Sequence, residues 1–113
     1  MKVLVVDDDR GFVEMVRSVL IEDGHEVVAA GDGKAGLAAI SRVAPDVILL
    51  DLRMPEMDGA QFLERVPDLR ARVIVLTGDS SARLVRFARD TKLLSKPIDL
   101  DQLEAAVKEA CAA

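Results

Sequence analysis

A chain of 113 residues, half of them apolar and 31% charged, is long enough to close one hydrophobic core and too short for two, which excludes a separate substrate domain. A net charge of −5 and a pI near 4.8 argue against a general nucleic-acid or acidic-membrane surface. The single cysteine, Cys111, excludes an internal disulfide or a cysteine metal cage, and no apolar run approaches a signal peptide or a membrane span, so a reducing, cytoplasmic setting is expected.

The chain opens with an uninterrupted apolar run from Val3 to Val6, followed at once by Asp7, Asp8 and Asp9. A continuous run of this kind predicts a strand buried on both faces, here ending in carboxylates. Phe12, Val13, Val16, Val19 and Leu20 then recur at helical spacing, with Asp9 placed to cap the helix and Gly24 just past its end. Glu26 to Ala30 predicts a short second strand. Gly31-Asp32-Gly33 turns the chain into a second helix running to about Val43, with Leu37 and Ile40 inward and Pro45 stopping it.

Val47 to Leu50 is another continuous apolar run, and Asp51 closes it. A carboxylate where a buried strand emerges, followed by a loop with Pro55 and Gly59, sits at the carboxyl edge of the sheet, where open α/β folds keep their ligands. Gln61 to about Val66 predicts a short third helix, and Val73 to Leu76 a fourth strand closed by Thr77-Gly78. Ser80 or Ser81 can cap a fourth helix carrying Leu84, Val85, Phe87 and Ala88, with Arg83, Arg86 and Arg89 one turn apart. Leu93 and Leu94 make a small fifth strand before Ser95-Lys96-Pro97. Asp99 and Gln102 occupy the two ends of a capping box opening a last helix with Leu100, Leu103, Val107 and Ala110 inward.

Five strand-helix repeats with right-handed crossovers predict one parallel sheet covered by helices on both faces. In the strand order 2-1-3-4-5 the first and third strands are neighbours where the winding reverses, and Asp7, Asp8 and Asp51 then converge on one crevice. Two carboxylates about 5 Å apart repel by roughly 3 kcal/mol at an effective dielectric of 20, so three in one crevice demand a cation. Oxygen-only donors select a hard ion such as Mg²⁺. Asp8 and Asp51 are the expected direct ligands, Asp7 acts through a coordinated water, and the Arg53 carbonyl completes the protein share. Such an ion beside an exposed carboxylate makes a phosphoryl acceptor of Asp51, with the Thr77 hydroxyl and the Lys96 ammonium as donors to the phosphoryl oxygens. Pro97 permits a cis peptide that would aim Lys96 inward.

These residues together, from the Asp7-Asp8-Asp9 run through Asp51-Leu-Arg-Met-Pro55-x-x-Asp58-Gly59 and Leu76-Thr77-Gly78 to Lys96-Pro97, resemble the receiver domain of bacterial two-component response regulators over essentially the whole chain. The resemblance implies a single receiver domain spanning residues 1–113, of α/β class, with five parallel strands in flavodoxin-like order. It implies that Asp51 takes a phosphoryl group from the histidine of a kinase or phosphotransfer protein in a Mg²⁺-dependent reaction, with the metal at Asp7, Asp8 and Asp51, and that Thr77 and Lys96 bind the phosphoryl group and relay its presence to a downstream effector. No enzyme activity beyond the domain's own phosphorylation and dephosphorylation is expected, nor direct nucleic-acid binding, membrane attachment or more than a monomer or weak homodimer.

Three departures bear on that expectation. Many receivers carry Tyr or Phe three residues before the lysine, and here the position holds Leu93. The intervals from Asp51 to Thr77 and from Thr77 to Lys96 are short for the family, which predicts a trimmed third helix and a trimmed fourth helix or its loops. No DNA-binding output domain is expected after the last helix. The alternative function is a receiver-like scaffold that binds a partner without being phosphorylated, favoured by Leu93 and opposed by the intact acidic and basic positions. A phosphatase of the haloacid-dehalogenase type would need a second aspartate two residues after Asp51, where this chain has Arg53.

The remaining motifs have structural readings. Gly31-x-Gly33-x-x-Gly36 matches a dinucleotide fingerprint letter for letter but follows the second strand in a chain too short for two mononucleotide halves, so it is read as a glycine turn into a helix. Asp9 is a helix cap and Asp58 a turn residue. The three arginines fit a solvated helix face, His25 a surface loop, and Cys111 and the methionines packing or chain-end roles.

Overall fold

The computed structural model of the chain describes residues 1–54, 56–66, 69–78 and 91–112. Within β1 (Lys2–Val6), β3 (Val47–Asp51) and β4 (Arg72–Thr77), side chains alternate between two apolar clusters, one on each face of the sheet. Leu4, Val6, Ile48, Leu50, Val73 and Val75 enter one; Val3, Val5, Val47, Leu49, Ile74 and Leu76 enter the other. Because both faces are covered, every residue of Val3–Val6, Val47–Leu50 and Val73–Leu76 is apolar, which is why these stretches read as unbroken hydrophobic segments. β2 (Glu26–Ala30) and β5 (Thr91–Ser95) complete a parallel sheet in the order β2-β1-β3-β4-β5. β5 is longer than the Leu93-Leu94 pair by which it was foreseen.

Helices α1 (Arg10–Glu22) and α4 (Leu100–Ala112) cover one face through Val13, Val16, Leu20, Leu103, Ala106 and Val107. Helices α2 (Gly33–Val43) and α3 (Gly59–Glu64) cover the other through Ala39 and Phe62. Each start has an aspartate where the chain needs one: the side chain of Asp9 accepts from Phe12 N at 3.1 Å, that of Asp32 from Ala35 N at 2.7 Å, and that of Asp99 from Asp101 N at 2.8 Å and Gln102 N at 3.3 Å. Gly33 and Gly36 explain the apparent dinucleotide fingerprint. A Cβ on Gly33 would lie 2.8 Å from Met57 Sδ, and one on Gly36 2.8 Å from Phe62 Cε2, so the glycines let α2 seat closely on the β3–α3 loop and on α3.

Two expectations need correcting. α3 begins at Gly59 instead of Gln61, because Asp58 is its N-cap: Asp58 Oδ1 accepts from Gln61 N at 2.8 Å while Gln61 Oε1 accepts from Asp58 N at 3.0 Å, a complete capping box. His25 is half-buried instead of superficial, and its Nδ1 is enclosed with no hydrogen-bond partner among the described residues. The short α3 agrees with the narrow spacing between Asp51 and Thr77. The helix expected from Ser80 or Ser81 through Arg89, its arginine stripe, and Pro55 lie outside the described residues. Among the described residues, no helix is long and apolar enough to cross a membrane.

Candidate functional site

The strand order makes β1 and β3 neighbours, with Val6 in register with Leu50. The residues that follow, Asp7 and Asp51, therefore emerge side by side at the carboxyl edge of the sheet. Asp7 is 1% exposed and Asp51 6%, whereas Asp8 is open to solvent. Carboxylate oxygens of Asp7, Asp8 and Asp51 all lie within 4.8 Å of one another.

Backbone donors fix two of the three. Asp7 Oδ1 accepts from Asp9 N at 2.9 Å, and Asp51 Oδ1 accepts from Arg53 N at 3.3 Å. Lys96 enters from the end of β5, its Nζ 3.2 Å from Asp7 Oδ2 and 3.5 Å from Asp51 Oδ1. Its placement follows from the neighbouring strand, since Lys96 N donates to Thr77 O at 2.6 Å, and the Lys96-Pro97 bond is cis. Thr77, buried, ends β4 one residue beyond the partner of Asp51, Leu76. Gly59 closes the loop from behind: its N donates to Leu52 O at 2.8 Å, and a Cβ there would stand 3.0 Å from both Asp51 O and Leu52 Cα.

Charge is out of balance in this pocket. Burial pushes the Asp51 carboxyl above its usual range, repulsion from Asp7 adds to the shift, and Lys96 and the Arg53 N–H oppose it. Burial works against the Lys96 ammonium too, yet the attraction of Asp7 and Asp51 outweighs it and holds the lysine above its ordinary value. Among the described residues, one ammonium against three carboxylates leaves excess negative charge, and the clustered donors are all oxygens. That set fits a small hard divalent cation.

Of the residues singled out from sequence, the structure brings Asp7, Asp8, Asp51 and Lys96 together. It places Thr77 at the adjacent strand end and brings Arg53 to Asp51 through its N–H. Asp9 and Asp58 take helix-capping positions. The sequence reading missed Phe12 as a neighbour of the site: the Lys96 Nζ lies 5.0 Å from the centroid of its ring. No sequence signal marked it, because its helical spacing already accounted for it as packing.

The sequence model of the response regulator receiver domain matches residues 3–108. The chain is 32% identical to sporulation initiation phosphotransferase F of Bacillus subtilis, covering 96% of this chain and 91% of that protein. It is 35% identical to transcriptional regulatory protein GlrR of Escherichia coli, matching 95% of this chain but only 25% of that longer protein. Among solved structures, a putative response regulator from Chloroflexus aurantiacus superposes with a TM-score of 0.89 at 33% identity, over 99% of this chain and 98% of that one. The chemotaxis response regulator CheY4 of Vibrio cholerae gives 0.87 at 30% identity, over 96% and 97% of the two chains. With the sheet order, the acidic crevice and the lysine in their expected places, the chain belongs to the receiver domains of response regulators, the phosphoacceptor modules of two-component signalling.

Proposed function

We propose that residues 1–113 act as a single receiver domain in the cytoplasm, and that Asp51 is its phosphoacceptor. The donor is a phosphohistidine on a histidine kinase or phosphotransfer protein, and the result is a changed surface for a downstream effector protein. Supporting this above all is the meeting of three carboxylates within 4.8 Å of one another with an ammonium 3.2 Å and 3.5 Å from two of them.

In this reading a carboxylate oxygen of Asp51 attacks phosphorus in line. The bond to the donor imidazole breaks, and its electron pair leaves with the nitrogen. The Arg53 N–H and Lys96 favour the ionised Asp51 that the attack requires, against the burial that raises its pKa. Asp8 and Asp51, with Asp7 through a water and the Arg53 carbonyl, would hold Mg²⁺. Bound there, the ion would neutralise charge on the phosphoryl oxygens. Lys96 pairs with a phosphoryl oxygen after transfer, and the Thr77 hydroxyl donates to another. Catalysis is thus confined to the domain's own phosphorylation and its reversal.

The test uses acetyl phosphate with Mg²⁺ and intact-mass spectrometry. The expected result is the addition of one phosphoryl group, absent in Asp51→Asn and in metal-free buffer. No addition, with the same donor labelling a control receiver, contradicts the proposal and leaves the unphosphorylated scaffold.

A further inference from the structure

Among the described residues, the Lys96 ammonium meets Asp7, Asp51 and the ring of Phe12. Phe12 stands half-buried in the first turn of α1, packed against the cluster that includes Val13 and Leu103. That turn is bound to the same pocket by a second route, since Phe12 N donates to Asp9 Oδ1 and Asp9 N donates to Asp7 Oδ1. Asp7, Asp9, Phe12 and Lys96 therefore close a ring of contacts. Leu93, three residues before Lys96, packs into the cluster on the opposite face of the sheet and takes no part in it.

An ammonium on a four-carbon stem has many rotamers, and Lys96 is 27% exposed, so the two carboxylates alone leave it room to swing toward solvent. The face of an aromatic ring attracts a cation without competing for its hydrogen-bond donors. We propose that Phe12 is a positioning residue for Lys96: its ring holds the ammonium at the mouth of the acidic pocket, within reach of the phosphoryl group that Asp51 receives. This rests on the reading of Asp51 as phosphoacceptor. It also makes the first turn of α1 the element that feels where the lysine sits.

Leucine at position 12 keeps an apolar side chain of similar bulk and removes the π face, whereas tyrosine retains it. Two measurements on Phe12→Leu, Phe12→Tyr and the unaltered chain decide the matter, after circular dichroism has shown each to be folded. The first is the NMR resonance of the Lys96 ε-methylene, which the ring moves upfield in the unaltered chain and in Phe12→Tyr but not in Phe12→Leu. The second is the rate of Asp51 phosphorylation by acetyl phosphate, expected to fall about two- to tenfold in Phe12→Leu, the scale of one cation–π contact, and to stay near the unaltered rate in Phe12→Tyr. An unaltered rate in Phe12→Leu, an equal loss in Phe12→Tyr, or a Lys96 resonance indifferent to residue 12 overturns the proposal. Failure of the unaltered chain to be phosphorylated is a separate outcome that defeats the underlying reading of Asp51, while the resonances still show whether lysine and ring meet.

Discussion

Asp51 is held where an ionised carboxylate is least comfortable, and that discomfort has measurable consequences. Its pKa is raised in the folded chain by burial first and by Asp7 second. Folding therefore takes up a proton at pH values between the ordinary carboxylate pKa and the raised one. Stability falls as pH rises through that window, and the penalty persists in full above it. Asp51→Asn is accordingly expected to raise the melting temperature of the metal-free protein at neutral pH, with the gain vanishing below the ordinary carboxylate range. Thermal unfolding of both forms across pH checks this; a gain independent of pH would contradict it. Gly59 is the second critical residue. Since a Cβ there would press on backbone atoms of Asp51 and Leu52, Gly59→Ala should cost about 1–3 kcal/mol in denaturant unfolding and slow phosphorylation by displacing the acceptor.

Among the elements, the strands were legible, and so was the existence of the short helix α3, but not its start. Val3 to Val6 and Val47 to Leu50 could be read as buried strands because both of their faces meet helices, which leaves no polar position to blur the run. The beginning of α3 was misjudged because Asp58 and Gln61 hydrogen-bond reciprocally, and a glycine at the first helical position conceals the start. In a helix of only six residues this cap carries weight: Asp58→Ala is expected to destabilise the fold by about 1 kcal/mol. Because Asp58 caps a helix and takes no part in the acidic cluster, the phosphorylation rate of the folded variant should change little. A loss as complete as that of Asp51→Asn would reassign Asp58 to the site. The contact of Phe12 with Lys96 joins α1 to the end of β5, and helical periodicity, which reports only a residue's own element, gives no sign of such a partner.

For the whole molecule, the convergence of Asp7, Asp8 and Asp51 was foreseeable only through topology, since nothing local to any of these residues names the others. The reversal of winding between β1 and β3 supplies the link. The same convergence concentrates negative charge at one edge of the sheet, so a divalent cation should stabilise the chain as a ligand of the folded state alone. Melting temperature is expected to climb with Mg²⁺ concentration and to respond less in Asp8→Asn. An equal response in that variant would place the ion elsewhere.

The most direct measurement is the chemical mapping of the phosphoryl group. After incubation with acetyl phosphate and Mg²⁺, borohydride reduces an aspartyl phosphate to homoserine, and peptide mass spectrometry locates the altered residue. Homoserine at position 51 is the predicted result; homoserine at Asp7 or Asp8, or at no position while a control receiver is labelled, would contradict the account.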